Sequence, residues 1–150
     1  YYPERLRIAN MLKANCNSFY IKDHPGWGFF DKHNLVGEGF SKAINQCKIF
    51  ITTAGTIGHC NPKYYEIAAS GSLLLAQKSR HMGRSGFKDG KNCVVFNNDQ
   101  ELLDAINYYD REENERIRIV RNALELIKKE HTGEHRAKQI IEFLLDKNPI

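Results

Sequence analysis

Two polar loops in the sequence contain residues that can bind an anion. The first loop, residues 53–61 (TAGTIGHCN), leads from an apolar stretch to a helix start at Asn61 and Pro62, and it contains Gly55 and Thr56. Its glycines permit close approach of the backbone, its hydroxyl and amide groups can bind phosphate oxygens, and the dipole of the following helix favours a negative charge. The loop matches neither a Walker A motif nor G-x-G-x-x-G, so an ordinary strand-to-helix turn is an equal alternative.

The second loop follows Ala76 and carries potential cations at four of seven consecutive positions, which are Lys78, Arg80, His81 and Arg84. Beside a phosphate-binding loop, these side chains can hold a diphosphate through charge-assisted hydrogen bonds, and Arg80 is a candidate substrate-binding residue for this reason. The alternative is a solvated surface loop without a ligand.

A single carboxylate, Glu66, lies in a short helix that otherwise consists mainly of aromatic and small residues (NPKYYEIAASG, 61–71). Asn61 can cap this helix, Pro62 suits its first position, and Gly71 suits its end. Glu66 is either an exposed residue that interacts with the helix dipole, or a packed carboxylate with a hydrogen-bond partner such as the vicinal diol of a ribose.

Two histidines, His24 and His59, fall in loops at the ends of predicted strands. Either can donate a hydrogen bond to a phosphate or act as a general acid or base, and either can equally be a plain loop residue. His59 is a candidate catalytic residue, and the catalytic residues are otherwise undefined. The sequence has no Ser-His-Asp order and no G-x-S-x-G elbow.

The composition indicates one globular domain over residues 1–150, with 41% hydrophobic and 27% charged residues. No apolar run is long enough to span a bilayer, and no signal-peptide pattern opens the chain.

Because the sequence begins without Met, we expect a fragment of a longer chain. Four widely spaced cysteines without a C-x-x-C pair argue against disulfides and zinc, and favour a cytoplasmic setting.

The charge is unevenly distributed along the chain. Residues 1–98 hold 13 Lys and Arg against 6 Asp and Glu, whereas residues 99–150 hold 9 against 12. The basic half favours an anionic ligand such as a phosphate or a nucleotide. The cations are scattered and form no dense run, which disfavours nucleic acid as a partner.

Apolar periodicity predicts helices that alternate with strands. Helices are predicted over 3–13, 39–47, 62–70 and 99–109, and strands over 16–22, 48–53, 72–76 and 93–96. The remainder is predicted to be helical to residue 145, with one apolar stripe at Ile117, Val120, Leu124 and Ile127 and another at Ala137, Ile140, Ile141 and Leu144. This order predicts an α/β fold, an open Rossmann-like parallel sheet with flanking helices and a helical C-terminal tail. We expect the tail to pack against that layer or against a partner domain.

Several segments occur in an order that resembles the C-terminal, nucleotide-sugar-binding half of a GT-B glycosyltransferase of the group 1 type. The resemblance is greatest to the spore-maturation-protein-like (CgeB-type) group. The segments are YPER (2–5), KIFITT (48–53), NPKYYEIAASG (61–71), FKDGKNCVVF (87–96), DQELL (99–103) and EHTGEHR (130–136). The resemblance implies one half of a GT-B fold, with an N-terminal domain that this chain lacks.

In that family the glutamate of the corresponding helix binds the ribose of the donor nucleotide, which implies this role for Glu66. The resemblance also implies that the glycine loop and the helix start face the diphosphate of a nucleoside-diphosphate sugar. The residues concerned are Gly55, Thr56, Lys63 and Tyr64. The acceptor of the sugar is undefined. Transfer of the sugar would need no metal ion and no other cofactor, because a helix dipole and cationic side chains can stabilise the leaving diphosphate.

The sequence departs from the family pattern in two places. Many retaining GT-B enzymes carry an E-x7-E pair, whose upstream acid would fall on Gly58, and some relatives carry an R-x4-K diphosphate pair that is missing here. Retaining and inverting chemistry both remain open, and an inverting enzyme could hold its general base on the N-terminal domain. Two other classes are kept as alternatives: a non-catalytic α/β nucleotide-binding or protein-interaction module, and a flavodoxin-like or receiver-type domain.

Overall fold

The computed structural model describes residues 3–21, 37–55 and 57–145. The helices within these ranges are α1 (Pro3–Asn15), α2 (Glu38–Asn45), α3 (Pro62–Ala69), α4 (Asp99–Arg111), α5 (Glu113–Glu130) and α6 (Gly133–Leu145). The strands are β1 (Ile49–Thr52), β2 (Leu73–Gln77) and β3 (Val94–Phe96). Most of these elements fall where the apolar periodicity predicts them.

The described strands form one parallel sheet in the order β1-β2-β3. Ile49 pairs with Leu73 and Ala76 pairs with Val95, so the carboxyl ends of the strands lie along one edge. β2 is buried along nearly its whole length because strands flank it on both sides and helices cover both of its faces. The predicted α/β architecture, an open Rossmann-like parallel sheet with flanking helices, is confirmed.

The core consists of two apolar clusters, one on each face of the sheet. The first contains Ile44, Tyr64, Ile67, Leu74 and Ala76, from α2, α3 and β2. The second contains Ile8, Leu12, Leu73, Leu75 and Leu102, from α1, β2 and α4. Alternate residues of β2 enter the two clusters, so the sheet is the middle layer between two layers of helices.

Local chemistry determines both ends of α3. The backbone N–H of Lys63 donates to the side-chain oxygen of Asn61 at 3.0 Å, and Pro62 occupies the first helical position. The Asn61 amide also donates to the carbonyl of Thr53 at 2.9 Å, which ties the helix start to the end of β1. Gly71 follows the helix with a φ of 81°, in the left-handed region. The predicted cap and the predicted stop are confirmed.

The strand predicted over 16–22 is wrong for the described residues 16–21, which form no strand. Phe19, Tyr20 and Ile21 are exposed in this segment. A strand needs a neighbour for its backbone groups, and the sheet formed by the described residues has none beside this segment.

The buried face of α5 differs from the predicted stripe. Ile119 and Ala123 are buried together with Arg116, whereas Ile117 is 37% exposed. The helix packs on α3, α4 and β2 together, and this arrangement decides which of its faces is covered. Arg116 tolerates burial because its guanidinium donates to the carbonyl of Tyr109 at 2.8 Å.

The C-terminal helix α6 exposes its apolar side chains. None of its residues is buried against the described part of the chain, and Ile140, Phe143 and Leu144 are 60%, 65% and 72% exposed. Of the predicted helical tail, α5 packs on the sheet layer as expected, whereas α6 does not within the described residues. Packing of α6 against a partner domain stays a prediction. No helix in these ranges combines the length and the apolar character needed to cross a bilayer.

Candidate functional site

A cavity of about 670 Å³ opens at the carboxyl edge of the sheet, where β1 and β2 end. Its lining comes from the start of α1, from the loop between β1 and α3, and from the segment after β2. These residues are Pro3, Glu4, Thr53, Ala54, Gly55, Ile57, Gly58, Gln77, Lys78 and Arg80. This is the edge at which open parallel sheets bind their ligands.

The loop between β1 and α3 is held by hydrogen bonds across its glycines. The N–H of Gly55 donates to the carbonyl of His59 at 3.0 Å, and the N–H of Gly58 donates to the carbonyl of Gly55 at 2.7 Å. The ring of His59 lies directly against Gly55, so that a Cβ atom on Gly55 would be 2.1 Å from Cε1 of the ring. Only glycine fits at residue 55 while the ring stays in this place.

The same loop is joined to the segment after β2 through the carbonyl of Gly58. This carbonyl accepts from the Ser79 hydroxyl at 2.9 Å and from the Arg80 N–H at 3.1 Å. Ser79 is buried, and its oxygen also accepts from the N–H of His81 at 3.3 Å. The Arg80 side chain lies over Gly58, since a Cβ there would be 3.7 Å from Nε. Ser79 and Gly58 therefore position Arg80 at the cavity.

Two cationic residues, Lys78 and Arg80, line the cavity. Lys78 and Arg80 are exposed, and neither forms an ion pair with a described residue. His81 and Arg84 are also exposed but do not line the cavity. Of the four predicted cations, two thus lie where an anion in the cavity would meet them.

The lining also contains the carboxylate of Glu4. Arg7 donates to Glu4 through Nε at 3.0 Å and through a terminal nitrogen at 2.8 Å, and it also donates to Asp99 at 2.6 Å. The hydrogen bonds from Arg7 lower the pKa of both carboxyl groups, so Glu4 is ionised at neutral pH. The amide of Gln77 donates to Glu4 at 3.3 Å while its oxygen accepts from the N–H of Ala54 at 3.1 Å.

The start of α3 offers fewer free donors than the resemblance implies. Pro62 has no N–H, the N–H of Lys63 donates to the Asn61 side chain, and the N–H of Tyr64 donates to the Asn61 carbonyl at 3.1 Å. All donors at the first three helical positions are therefore already paired. A ligand phosphate would rely on Lys78 and Arg80 rather than on these amides.

Glu66 and Lys63 form an ion pair on the surface of α3. Their side chains are 42% and 38% exposed, and Lys63 Nζ lies 2.6 Å from Glu66 Oε2. The same ammonium lies over the ring of Phe40, 3.9 Å from its centroid. Neither residue lines the cavity. Of the two alternatives for Glu66, the structure has the partly exposed carboxylate, with Lys63 as its partner.

Tyr64, a predicted substrate-binding residue, lies in the core. Its ring is fully buried and its hydroxyl donates to the carbonyl of Gln77. Burial raises the pKa of this hydroxyl, so it stays protonated and continues to donate. The Tyr64 side chain thus holds the end of β2 from within the core and does not belong to the cavity lining.

The other predicted residues divide into three groups. Gly55 and Arg80 line the cavity. His59 is partly buried against Gly55, and its Nδ1 has no hydrogen-bond partner among the described residues. His24 and Thr56 lie outside the described residues. In the described ranges no group of three or more His, Cys, Asp or Glu side chains could hold a metal ion.

Sequence reasoning missed Glu4 and Gln77. Gln77 carried a usable signal, because it is the first polar residue after the apolar run of β2 and so falls at the binding edge. Glu4 belongs to the YPER segment of the resemblance, but no pattern placed it at the cavity, since its contact with Gln77 joins positions 73 residues apart.

Comparison with known proteins gives one match. A family model described as glycosyl transferase-like matches residues 13–142. Neither a curated protein nor a solved structure matches the chain.

Proposed function

The chain belongs to the glycosyl transferase-like family, and from this premise we propose that it is the donor-binding domain of a GT-B glycosyltransferase of the CgeB-type group. It binds a nucleoside-diphosphate sugar, whose sugar is transferred to an acceptor. The observation that carries the proposal is the cavity at the carboxyl edge of the sheet, where Gly55 and Gly58 meet Lys78 and Arg80. A cytoplasmic setting, in which cysteines stay reduced, is part of the proposal.

The diphosphate lies against Lys78 and Arg80 in this proposal. Neither cation forms a close ion pair with a described residue, so a phosphate can pair with them without breaking one. Gly55 accommodates the ring of His59, and Gly58 adopts a positive φ beside the Arg80 side chain, so both glycines shape the loop that lines the cavity. The same cations can stabilise the charge of the leaving diphosphate, so transfer proceeds without a metal ion.

Glu66 binds the ribose in this proposal, as the resemblance implies. Its ion pair with Lys63 is partly exposed and therefore contributes little to stability. A ribose diol can replace Lys63 as the partner of the carboxylate at small energetic cost. Lys63 then becomes free to approach a phosphate.

A second domain completes the enzyme. Support comes from α6, whose apolar residues Ile140, Ile141 and Leu144 are 60%, 55% and 72% exposed in the described part of the chain. Such a face is expected to be covered by a partner. Transfer requires closure of both domains over donor and acceptor, so this chain alone binds the donor without transferring its sugar. His59 remains the candidate catalytic residue, and retaining or inverting chemistry is open.

A non-catalytic nucleotide-binding module is the second candidate. It is favoured by the glycine at residue 58, where many retaining relatives carry an acid, and it predicts nucleotide binding without transfer even when a complementary domain is supplied.

The test is calorimetric titration of the chain with UDP and with GDP. We expect saturable binding of one of them, weakened about tenfold, or about 1.4 kcal/mol, by Arg80→Ala and by Glu66→Gln. Arg84→Ala is the matched control for the first variant, because Arg84 is exposed outside the cavity. Glu125→Gln is the control for the second, because Glu125 also pairs with a lysine three residues away, Lys128, on a more exposed helix surface. The absence of binding to either nucleotide, confirmed by an unchanged melting temperature, would overturn the proposal.

A further inference from the structure

The cavity has a charge pattern that its cations alone do not explain. Glu4 lies in its wall together with Lys78 and Arg80. A carboxylate repels a diphosphate, so a pocket for phosphate alone would gain nothing from an acid in its wall. A ligand with an anionic part and a hydroxyl-bearing part could pair with both the cations and the carboxylate of this lining.

The orientation of Gln77 is determined by its neighbours. The N–H of Ala54 can only donate, so the side-chain oxygen of Gln77 faces it, at 3.1 Å. The NH₂ group of the same amide therefore faces Glu4, at 3.3 Å. Through this arrangement Gln77 joins the glycine loop to the carboxylate and limits the movement of both.

Arg7 holds the carboxylate from the other side. It donates two hydrogen bonds to Glu4, at 2.8 Å and 3.0 Å, and it is itself held by Asp99. Glu4 thus receives three donors, whereas an ionised carboxylate can accept about four. Its side chain is 41% exposed, so capacity for a further donor remains.

We propose that Glu4 accepts hydrogen bonds from a vicinal diol of the bound nucleotide sugar, with Arg7 and Gln77 as positioning residues. The inference rests on the proposed function, because it takes the nucleoside-diphosphate sugar as the ligand. It orients that ligand in the cavity: the diphosphate faces Lys78 and Arg80, and a hydroxyl-bearing ring faces Glu4. With Glu66 on the ribose, this diol is that of the transferred sugar. If Glu4 instead accepts from the ribose, Glu66 has another role, and titrations with the nucleotide and with the nucleotide sugar separate the two cases.

The experiment compares Glu4→Gln with the unaltered chain in titrations with pyrophosphate, UDP and UDP-glucose, or with GDP and GDP-mannose where guanine is preferred. We expect pyrophosphate affinity to be unchanged or slightly increased, because the variant loses a repelling charge. A diol on the ribose predicts that both nucleotides bind about tenfold more weakly. A diol on the transferred sugar predicts that only the nucleotide sugar is weakened.

Two further variants separate a ligand contact from a structural effect. Asp99→Asn removes the other partner of Arg7 and leaves Glu4 in place, so we expect a change of less than about threefold for all three ligands. Glu4→Asp keeps the charge and shortens the reach, so it should weaken the same ligands as Glu4→Gln. The fold of each variant is checked by circular dichroism.

The outcomes distinguish this inference from the proposed function. Failure of the unaltered chain to bind any nucleotide overturns both. Nucleotide binding that is equal in Glu4→Gln and in the unaltered chain overturns the inference alone. Equal weakening of pyrophosphate and nucleotides also overturns it, because a diol contact cannot affect a ligand without hydroxyl groups on carbon.

Discussion

Gly55 and His59 fit together so closely that a Cβ atom on the glycine would lie 2.1 Å from Cε1 and 2.5 Å from Nδ1 of the ring. The two residues are also joined through the backbone, where the N–H of Gly55 donates to the carbonyl of His59 at 3.0 Å. The ring therefore acts as a support for the loop that lines the cavity. This relationship gives His59 a structural role beside its candidate catalytic one.

Gly55→Ala should weaken nucleotide binding, by about tenfold in a calorimetric titration. The added methyl group forces the imidazole or the loop to move, and either movement alters the wall of the cavity. In the double variant Gly55→Ala with His59→Ala the ring is gone, and we expect most of the affinity to return. Gly83→Ala is the control, because a Cβ at Gly83 meets no atom within 4 Å. Unaltered affinity in Gly55→Ala would contradict this account of the loop.

Ser79→Ala should destabilise the chain and loosen the same loop. The variant removes the hydroxyl that donates to the carbonyl of Gly58 at 2.9 Å and that accepts from the N–H of His81 at 3.3 Å. Because Ser79 is buried, we expect the free energy of unfolding to fall by about 1 kcal/mol. Urea denaturation measures this loss, and Ser41→Ala on the exposed surface of α2 serves as the comparison. Equal effects of the two substitutions would rule out the proposed link.

The stability of the chain should depend on pH through His131. Its ring stacks on Phe87 and meets the edge of Tyr65, and Nε2 faces the carbonyl of Ser85 at 3.0 Å. Burial is the main cause that lowers the pKa of His131, and the charges of Arg136 and His135 lower it further. The Ser85 carbonyl and the charge of Glu130 act in the opposite direction and raise this pKa. The unfolded chain therefore binds a proton at this residue more readily than the folded chain does.

The sign of the effect follows from that difference. Above the unfolded pKa of about 6.5 both states are neutral at His131 and the full stability is present. As the pH falls below that value, the unfolded state gains protons first and the free energy of unfolding decreases. His131→Phe should abolish this part of the pH dependence in urea titrations, whereas His81→Gln, at an exposed position, should retain it. The same slope in His131→Phe and in the unaltered chain would show that another group is responsible.

Charged residues on the apolar face of α6 should leave the isolated chain stable. Ile141 and Leu144 are 55% and 72% exposed, so Ile141→Lys and Leu144→Lys should each change the free energy of unfolding by less than about 0.5 kcal/mol. Leu102→Ala, in the core, should lower it by about 2 to 5 kcal/mol. A loss of that size in Ile141→Lys would mean that α6 packs on another part of this chain.

Local patterns in the sequence were sufficient for most elements of the fold. The apolar runs before the two loops became β1 and β2, and Asn61 and Gly71 delimit α3 as predicted, because a cap and a left-handed glycine act on their immediate neighbours. Gly55 and Arg80 could be placed at the cavity because the carboxyl edge of a parallel sheet follows from strand order alone.

The tertiary structure alone decided the features that depend on distant contacts. The segment 16–21 has the composition of a strand, but no described strand lies beside it. Tyr64 was predicted to contact the ligand, yet the helical rotation turns its side chain into the core. The sequence by itself determined where most of the helices and strands form, since their periodicity is local. Only the folded chain could bring Glu4 to Gln77, because their meeting depends on how α1 packs against the sheet.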